Sequence, residues 1–277
     1  MTVIKAIILG LIQGLSEFLP ISSSGHLAIA GRLMGIDPEA DSLLSFNILL
    51  HVATLAAVFI VYREDIWNMI KAFFAMVGDL FTGKGLGLKK DMYRRLVVML
   101  IVGTLPAVVA ALVFGDIIES PTLVAIGIFL IITAVLLFVS EKLAGGSRSL
   151  ENMKIKDSVV VGCFQALGTL PGISRSGSTI VGGLFAGLDK TVAVRFSFLL
   201  SIPAILGALV LDLKDVLSGT AQLAGADCII AGMLVAGVSG YFAIKFLLGI
   251  VRKSKLSVFS IYCAIAGIAA IIMDIVL

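Results

Sequence analysis

Gln165–Thr179 reads QALGTLPGISRSGST, and its character decides how the rest of the chain is understood. After Leu170 it carries four hydroxyl side chains, Ser174, Ser176, Ser178 and Thr179. Arg175 stands among them, with Gly172 and Gly177 alongside. The flanks, VVVGCF before and IVGGLFAGL after, are apolar. An arginine in such a setting is costly within a bilayer and marks a functional site by default. The stretch also has a counterpart in Gln13–His26, QGLSEFLPISSSGH. At an offset of 152 residues Gln13 falls on Gln165, Leu15 on Leu167, Ile21 on Ile173, Ser22 on Ser174, Ser24 on Ser176 and Gly25 on Gly177. Ser23 is replaced by Arg175, and His26 by Ser178. One polar device has been built twice and then specialised.

The surroundings fix the class. Of 277 residues 59% are hydrophobic and 14% charged, and the mean hydropathy is +1.13. This is far more apolar than a soluble domain. Several runs reach the roughly 20 residues needed to cross a bilayer core. They are continuous, unlike the alternating pattern of a membrane β-barrel. No basic stripe with interleaved aromatics points to nucleic acid. The N-terminus has a short apolar run but no small-residue cleavage site, so it does not read as a removable signal peptide. Cys163, Cys228 and Cys263 are isolated in apolar runs and are expected to be packed free thiols. Gly78–Gly85 nearly matches a nucleotide P-loop but lacks the final Ser or Thr and a preceding strand.

Val3–Gln13 and His26–Met34 are apolar but too short to span, and they flank a polar turn. That pattern predicts a re-entrant hairpin, which is tolerated at depth only when buried in protein or lining a cavity. Ser158–Leu188 predicts a second one. Spans are expected at Ser45–Tyr62, Leu96–Phe114, Pro121–Ser140, Val192–Leu211, Cys228–Leu248 and Val258–Met273. The first half of Arg63–Arg95 is amphipathic around Ile66, Trp67, Ile70, Phe73 and Phe74 and is expected at the interface. FNILL at Phe46 resembles FSFLL at Phe196. The expected fold is an all-α polytopic membrane protein, one integral membrane domain over 1–277, built as an inverted-topology repeat. Its halves are about 1–140 and about 157–277, each a re-entrant helical hairpin plus three spanning helices. An odd number of crossings inverts one half relative to the other. Lysine and arginine concentrate in 63–95, 141–157 and 250–256, which the positive-inside rule places in the cytoplasm. Loops 115–120 and 212–226 then lie outside, with both termini.

In each tip a serine run follows a proline and precedes a helical stretch. Serine is a favoured N-cap, so Ser22 or Ser23, and Ser174, are expected to start half-helices. Free N–H groups and the helix dipole both favour phosphate there. Two such ends converging on Arg175, which can grip phosphate oxygens as a bidentate fork, describe a polyanion site. Gly172 and Gly177 would let backbone approach the ligand. Ser22, Ser24, Ser174, Ser176, Ser178 and Thr179 supply hydroxyls for substrate binding. The blander reading, small residues packing helices closely, does not explain the arginine. The first tip adds Glu17 and His26. From a helix beginning at Ser23, His26 lies over the same face and is positioned to take the hydroxyl proton. Glu17 can orient that imidazole or hold a divalent cation. Gln13 is one helical turn before Glu17 and can offer a neutral oxygen. His51 lacks polar company in the sequence and is set apart from this group.

These motifs resemble the undecaprenyl-diphosphate phosphatase family of the bacitracin-resistance type over essentially the whole chain. The family's glutamate-or-glutamine, three residues, then glutamate motif stands here as Gln13-Gly-Leu-Ser-Glu17. Its PGxSRSxxT motif stands as Pro171–Thr179, and its SSxGH segment as Ser22–His26. Many members carry glutamate where this chain has Gln13, which leaves one charge fewer for a cation. The resemblance implies a polyprenyl diphosphate substrate, cut to the monophosphate and inorganic phosphate on the outer face of the bacterial plasma membrane. It further implies a divalent cation, magnesium or calcium, and a homodimer. It places Ser23 and His26 at the scissile phosphate. The rival class is a lipid-carrier flippase or anion transporter, since inverted repeats with broken helices are common in transporters. A carrier needs no serine, histidine and glutamate beside its anion site.

Overall fold

The computed structural model describes residues 1–36, 41–88, 91–114, 122–143, 145–217, 224–253 and 256–276. Within them the chain is helical, with an isolated bridge between Arg148 and Leu188 and no strand. The first hairpin is α1 (Val3–Phe18) and α2 (Ser23–Leu33), followed by α3 (Asp41–Val61), α4 (Arg63–Phe81), α5 (Met92–Phe114) and α6 (Leu123–Leu143). The second hairpin is α7 (Ile155–Leu167) and α8 (Arg175–Phe185), followed by α9 (Lys190–Leu217), α10 (Ala226–Lys253) and α11 (Ser257–Val276). A satisfied helix backbone is what lipid demands of a crossing segment. Five helices, α5, α6, α9, α10 and α11, are long and apolar enough to cross, and α3 joins them when taken with α4. The protein is an all-α, multi-pass membrane protein. Loop 115–120 lies outside the described residues, as do 218–223 and 254–255 of the other loops used for orientation.

Helix α4 turns 89° from α3 at Tyr62. It buries Asp65, Ile66, Met69, Ala72 and Met76 against the protein and leaves Trp67, Ile70, Phe73 and Phe74 exposed. A helix across the bilayer normal with an aromatic outer face suits the interface. Exposed Leu112, Phe138 and Ile265 on the spanning helices likewise meet lipid rather than water. Cys228 and Cys263 are packed, but Cys163 is exposed, because α7 turns that face outward.

Three close crossings, two of them involving a hairpin helix, set the packing. Gly10 of α1 lies against the Gly232 carbonyl of α10, Gly162 of α7 against Gly103 of α5, and Gly127 of α6 against Gly267 of α11. In each case a Cβ would strike the facing backbone, the arrangement small residues permit in membranes. Each hairpin's first helix therefore lies along a long helix from the far part of the chain.

Candidate functional site

Helix α1 stops at Phe18 because Pro20 follows, and a residue before proline is pushed out of the helical region. The chain turns, and Ser22 restarts it: its Oγ accepts from Gly25 N at 3.2 Å, capping α2. In the second tip Ser174 Oγ accepts from Gly177 N at 3.1 Å and caps α8. Both N-termini thus begin one residue after the cap, at Ser23 and at Arg175. The N–H groups of Ser23, Ser24, Arg175 and Ser176 have no protein acceptor among the described residues.

Bonds that cross between the tips hold them together. Gly172 N donates to Ser24 Oγ at 3.1 Å, and Ser176 Oγ donates to the Leu19 carbonyl at 3.1 Å. Gly177 packs on Pro20, and Gly25 faces Gly172. Gly25 and Gly177 let one tip approach the other, and Gly172 lies close against Ile126 and Phe129 of α6. Ser24 and Ser176 act as latches between tips, and Ser22 and Ser174 as caps.

Glu17 is the hub. One carboxylate oxygen accepts from the Arg175 guanidinium. The other accepts from Ser23 Oγ at 2.7 Å and Gln13 Nε2 at 2.9 Å. The Glu17 side chain is 3% exposed and that of Arg175 19% exposed. A carboxylate so buried is expensive unless paired and hydrogen-bonded, and here it is both. Gln13, whose amide nitrogen makes this contact, is fully buried.

His26 stands elsewhere than the sequence suggested. Its Nδ1 donates to the Ser22 carbonyl at 2.8 Å, which leaves Nε2 to accept from the Tyr262 hydroxyl, also at 2.8 Å. The rings of His26 and Tyr262 stack at 5.5 Å. Among the described residues the Ser23 hydroxyl has a carboxylate for its partner instead of an imidazole. The physical reason is local: Ser22, the cap, offers its carbonyl one turn below His26, and that bond turns the ring toward α11. His51 corrects the sequence reading in the opposite direction. Its Nε2 lies 3.5 Å from Glu17 Oε2, and its Nδ1 is held by the Asn47 carbonyl. The signal is faint: Asn47 and His51 are the polar pair one turn apart in FNILLH, on a helix whose contact with α1 local pattern does not reveal. Thr133 of α6 also escapes the sequence reading; its hydroxyl accepts from Ser174 N at 3.1 Å and steadies the second tip. Thr179 points into the protein, bonded to Ser197 Oγ of α9 at 2.5 Å, and Ser178 Oγ is buried without a partner.

Two more buried oxygens, Gln13 Oε1 and Asn47 Oδ1, have no partner among the described residues. With the Glu17 carboxylate they are oxygen donors of the kind hard divalent cations prefer. Among the described residues no three His, Cys, Asp or Glu side chains come together. A cation here would complete its shell with water or phosphate oxygens, as magnesium commonly does.

A buried carboxylate holding a serine hydroxyl, beside an arginine and two helix N-termini with free N–H groups, can activate an oxygen nucleophile and receive phosphate. The family model described as Bacitracin resistance protein BacA matches residues 6–269. The chain is 48% identical, over 99% of both chains, to the protein named Undecaprenyl-diphosphatase of Alkaliphilus metalliredigens (strain QYMF). It is 43% identical to the Undecaprenyl-diphosphatase of Methanobrevibacter smithii, over 97% of this chain and 96% of that one. To that of Methanosphaera stadtmanae it is 41% identical, over 99% of each.

Proposed function

The chain belongs to the bacitracin resistance protein BacA family, and from that premise we propose that it hydrolyses undecaprenyl diphosphate to undecaprenyl phosphate and inorganic phosphate. Such a phosphatase returns the lipid carrier of cell-wall synthesis to use and so counters bacitracin. The observation that carries the mechanism is the 2.7 Å bond from Ser23 Oγ to Glu17 Oε2 beside Arg175. As Ser23 Oγ bonds to the terminal phosphorus, Glu17 takes its proton. The bridging P–O bond breaks, and undecaprenyl phosphate leaves with the electron pair as an anion that needs no proton. Water then displaces phosphate from Ser23, and one proton returns to Oγ. Arg175 exchanges Glu17 for the phosphoryl oxygens, and the free N–H groups of both tips share their charge.

A magnesium or calcium ion, when bound, would be held by Glu17 with the neighbouring Gln13 Oε1 and would add positive charge beside the phosphate. Removing it with a chelator is expected to slow phosphate release by purified protein.

Single-turnover hydrolysis by Ser23→Ala tests the assignment. Loss of the chemical step at saturating substrate is expected. Retained chemistry would transfer the attack to water and leave Ser23 a hydrogen-bond donor.

The basic-loop bias supports a plasma-membrane orientation in which the halves run oppositely and the site opens outward. A cysteine placed within 115–120 should be labelled from outside cells, and one within 84–88 should not; the reverse pattern overturns that orientation. A homodimer, the assembly the family resemblance implies, should appear on cross-linking in native membranes.

A further inference from the structure

Behind the catalytic hub lies a second polar chamber. Phe18, next to Glu17, packs edge-on against Phe198 of α9 with ring centres 5.3 Å apart. Phe198 in turn meets Tyr62 at 6.3 Å. All three side chains are buried, and they form an aromatic partition across the protein. On the far side of Tyr62 is an open pocket of about 360 Å³ at the break between α3 and α4, bordered by α9 and α10. Arg63, Arg195 and Lys245 line it, with Glu64, Asp65, Tyr62 and Tyr241.

The charges there are unevenly engaged. Asp65 is already satisfied: Arg195 Nε donates to it at 2.9 Å, Nη2 of the same guanidinium reaches its other oxygen, and Tyr93 adds a hydroxyl at 3.3 Å. Arg63 and Lys245 have no carboxylate partner among the described residues, and Glu64 in the first turn of α4 has no cation partner there, so the pocket keeps one positive charge in excess; the Lys245 ammonium stands 5.7 Å over the Tyr241 ring. Helix α4 starts here, and its N-cap, Tyr62, makes no side-chain capping bond. The N-terminus of this 19-residue helix therefore opens on the cavity. The decisive feature is Tyr62. It is 8% exposed, and its hydroxyl is buried with no partner among the described residues. A phenolic O–H of that kind normally finds an acceptor.

We propose that this cavity is a second phosphate site, which takes a phosphate monoester or free phosphate dianion between Arg63, Lys245 and the first turn of α4, with the Tyr62 hydroxyl and the Arg195 guanidinium at its base. The chemistry is that of anion capture at a helix N-terminus backed by cations. The site is separated from Glu17 by the aromatic partition and does not depend on the catalytic reading of the tips. Either product of diphosphate hydrolysis carries the required group, one as a lipid headgroup and the other free.

Equilibrium binding to the full-length chain in lipid nanodiscs tests it, with radiolabelled inorganic phosphate in one arm and farnesyl phosphate in the other. The Arg175→Ala background removes the cation of the first site. One saturable phosphate equivalent should remain in that background. Adding Lys245→Gln and Arg63→Gln should raise its Kd by about tenfold or more, the scale of one lost charge-assisted contact. Tyr62→Phe should raise it less. Arg195 is left in place because it holds Asp65. Tighter binding of farnesyl phosphate identifies the lipid headgroup as the natural occupant, and tighter binding of inorganic phosphate identifies the free ion; both support the site. Absence of saturable binding in both arms, or a Kd unmoved by the double substitution, overturns it.

Discussion

The first tip and the second are built on the same two bonds, a serine capping the glycine three residues on and a serine two residues later reaching across to the other tip. They diverge at the residue between those serines. The first tip has Ser23, with a hydroxyl to donate; the second has Arg175, with a charge to neutralise. Both point at one carboxylate, Glu17, which only the first tip supplies. Duplicated geometry therefore delivers two different groups to one point, and chemistry enters through the single position where the copies differ. They also turn by different means. The second tip places its positive φ on Gly172, at 103°. The first places it on Ser22, at 71°, the only non-glycine in that region among the described residues. Strain of this sort costs about 1–3 kcal/mol and gathers at functional sites.

The comparison breaks most sharply at Glu17. Glu17→Gln removes the proton acceptor and leaves the half-buried Arg175 without its partner. Steady-state phosphate release should fall by about 10²–10⁴-fold, the usual share of a general base. Turnover near normal would show that the two tips do not work through this carboxylate. Arg175→Lys keeps the charge but loses the planar fork. A loss of about 10²–10³-fold is expected, comparable to removing one donor from a charge-stabilising site. The latches should be weaker and alike: Ser24→Ala and Ser176→Ala each delete one hydrogen bond across the tips, worth about 1 kcal/mol, and a longer one to the capping serine of the same tip. Unfolding in mixed micelles should show similar losses for both, and a large difference would mean that one latch also binds substrate. Smallest of all, and opposite in sign, are the caps. Ser22→Gly gives up a cap for a few tenths of a kcal/mol but relieves the positive φ, so its unfolding midpoint should hold or rise. Ser174→Gly has no strain to relieve and should lose about 0.5–1 kcal/mol.

Much of this architecture is legible in the order of residues alone. Five of the six expected spans, the sixth when α3 is taken with α4, the two broken helix pairs and the polar tips follow from where apolar runs stop, since lipid permits few alternatives. Membership of the site for Glu17, Ser23 and Arg175 follows from the repeat, because aligned copies reveal where one departs from the other. Partners across helices are not legible. Ser23 and His26 share a helix face, and spacing alone makes them a pair; the Ser22 carbonyl and Tyr262, 236 residues from His26, draw the ring away. His51 escapes notice because its neighbour, Glu17, lies on another helix. Ser178 and Thr179 carry the right chemistry for phosphate, but one turn into α8 Thr179 has rotated toward α9 and Ser178 is buried. Local pattern records which groups are present, and tertiary packing decides which of them meet.

The bonds between the tips have a consequence for how the protein is made. Ser24 meets Gly172, and Glu17 meets Arg175, across about 150 residues of chain. While a ribosome has delivered only the first hairpin and its following helices, Glu17 is a carboxylate in the membrane without its cation, and Ser23 has no phosphate pocket to face. The nascent half is inert and unfinished, so neither phosphoryl chemistry nor a stable tip precedes insertion of the second hairpin. Catalytic competence and completion of the fold arrive as one event, and fragments severed in the loop around residue 145 should be silent apart and active when expressed together.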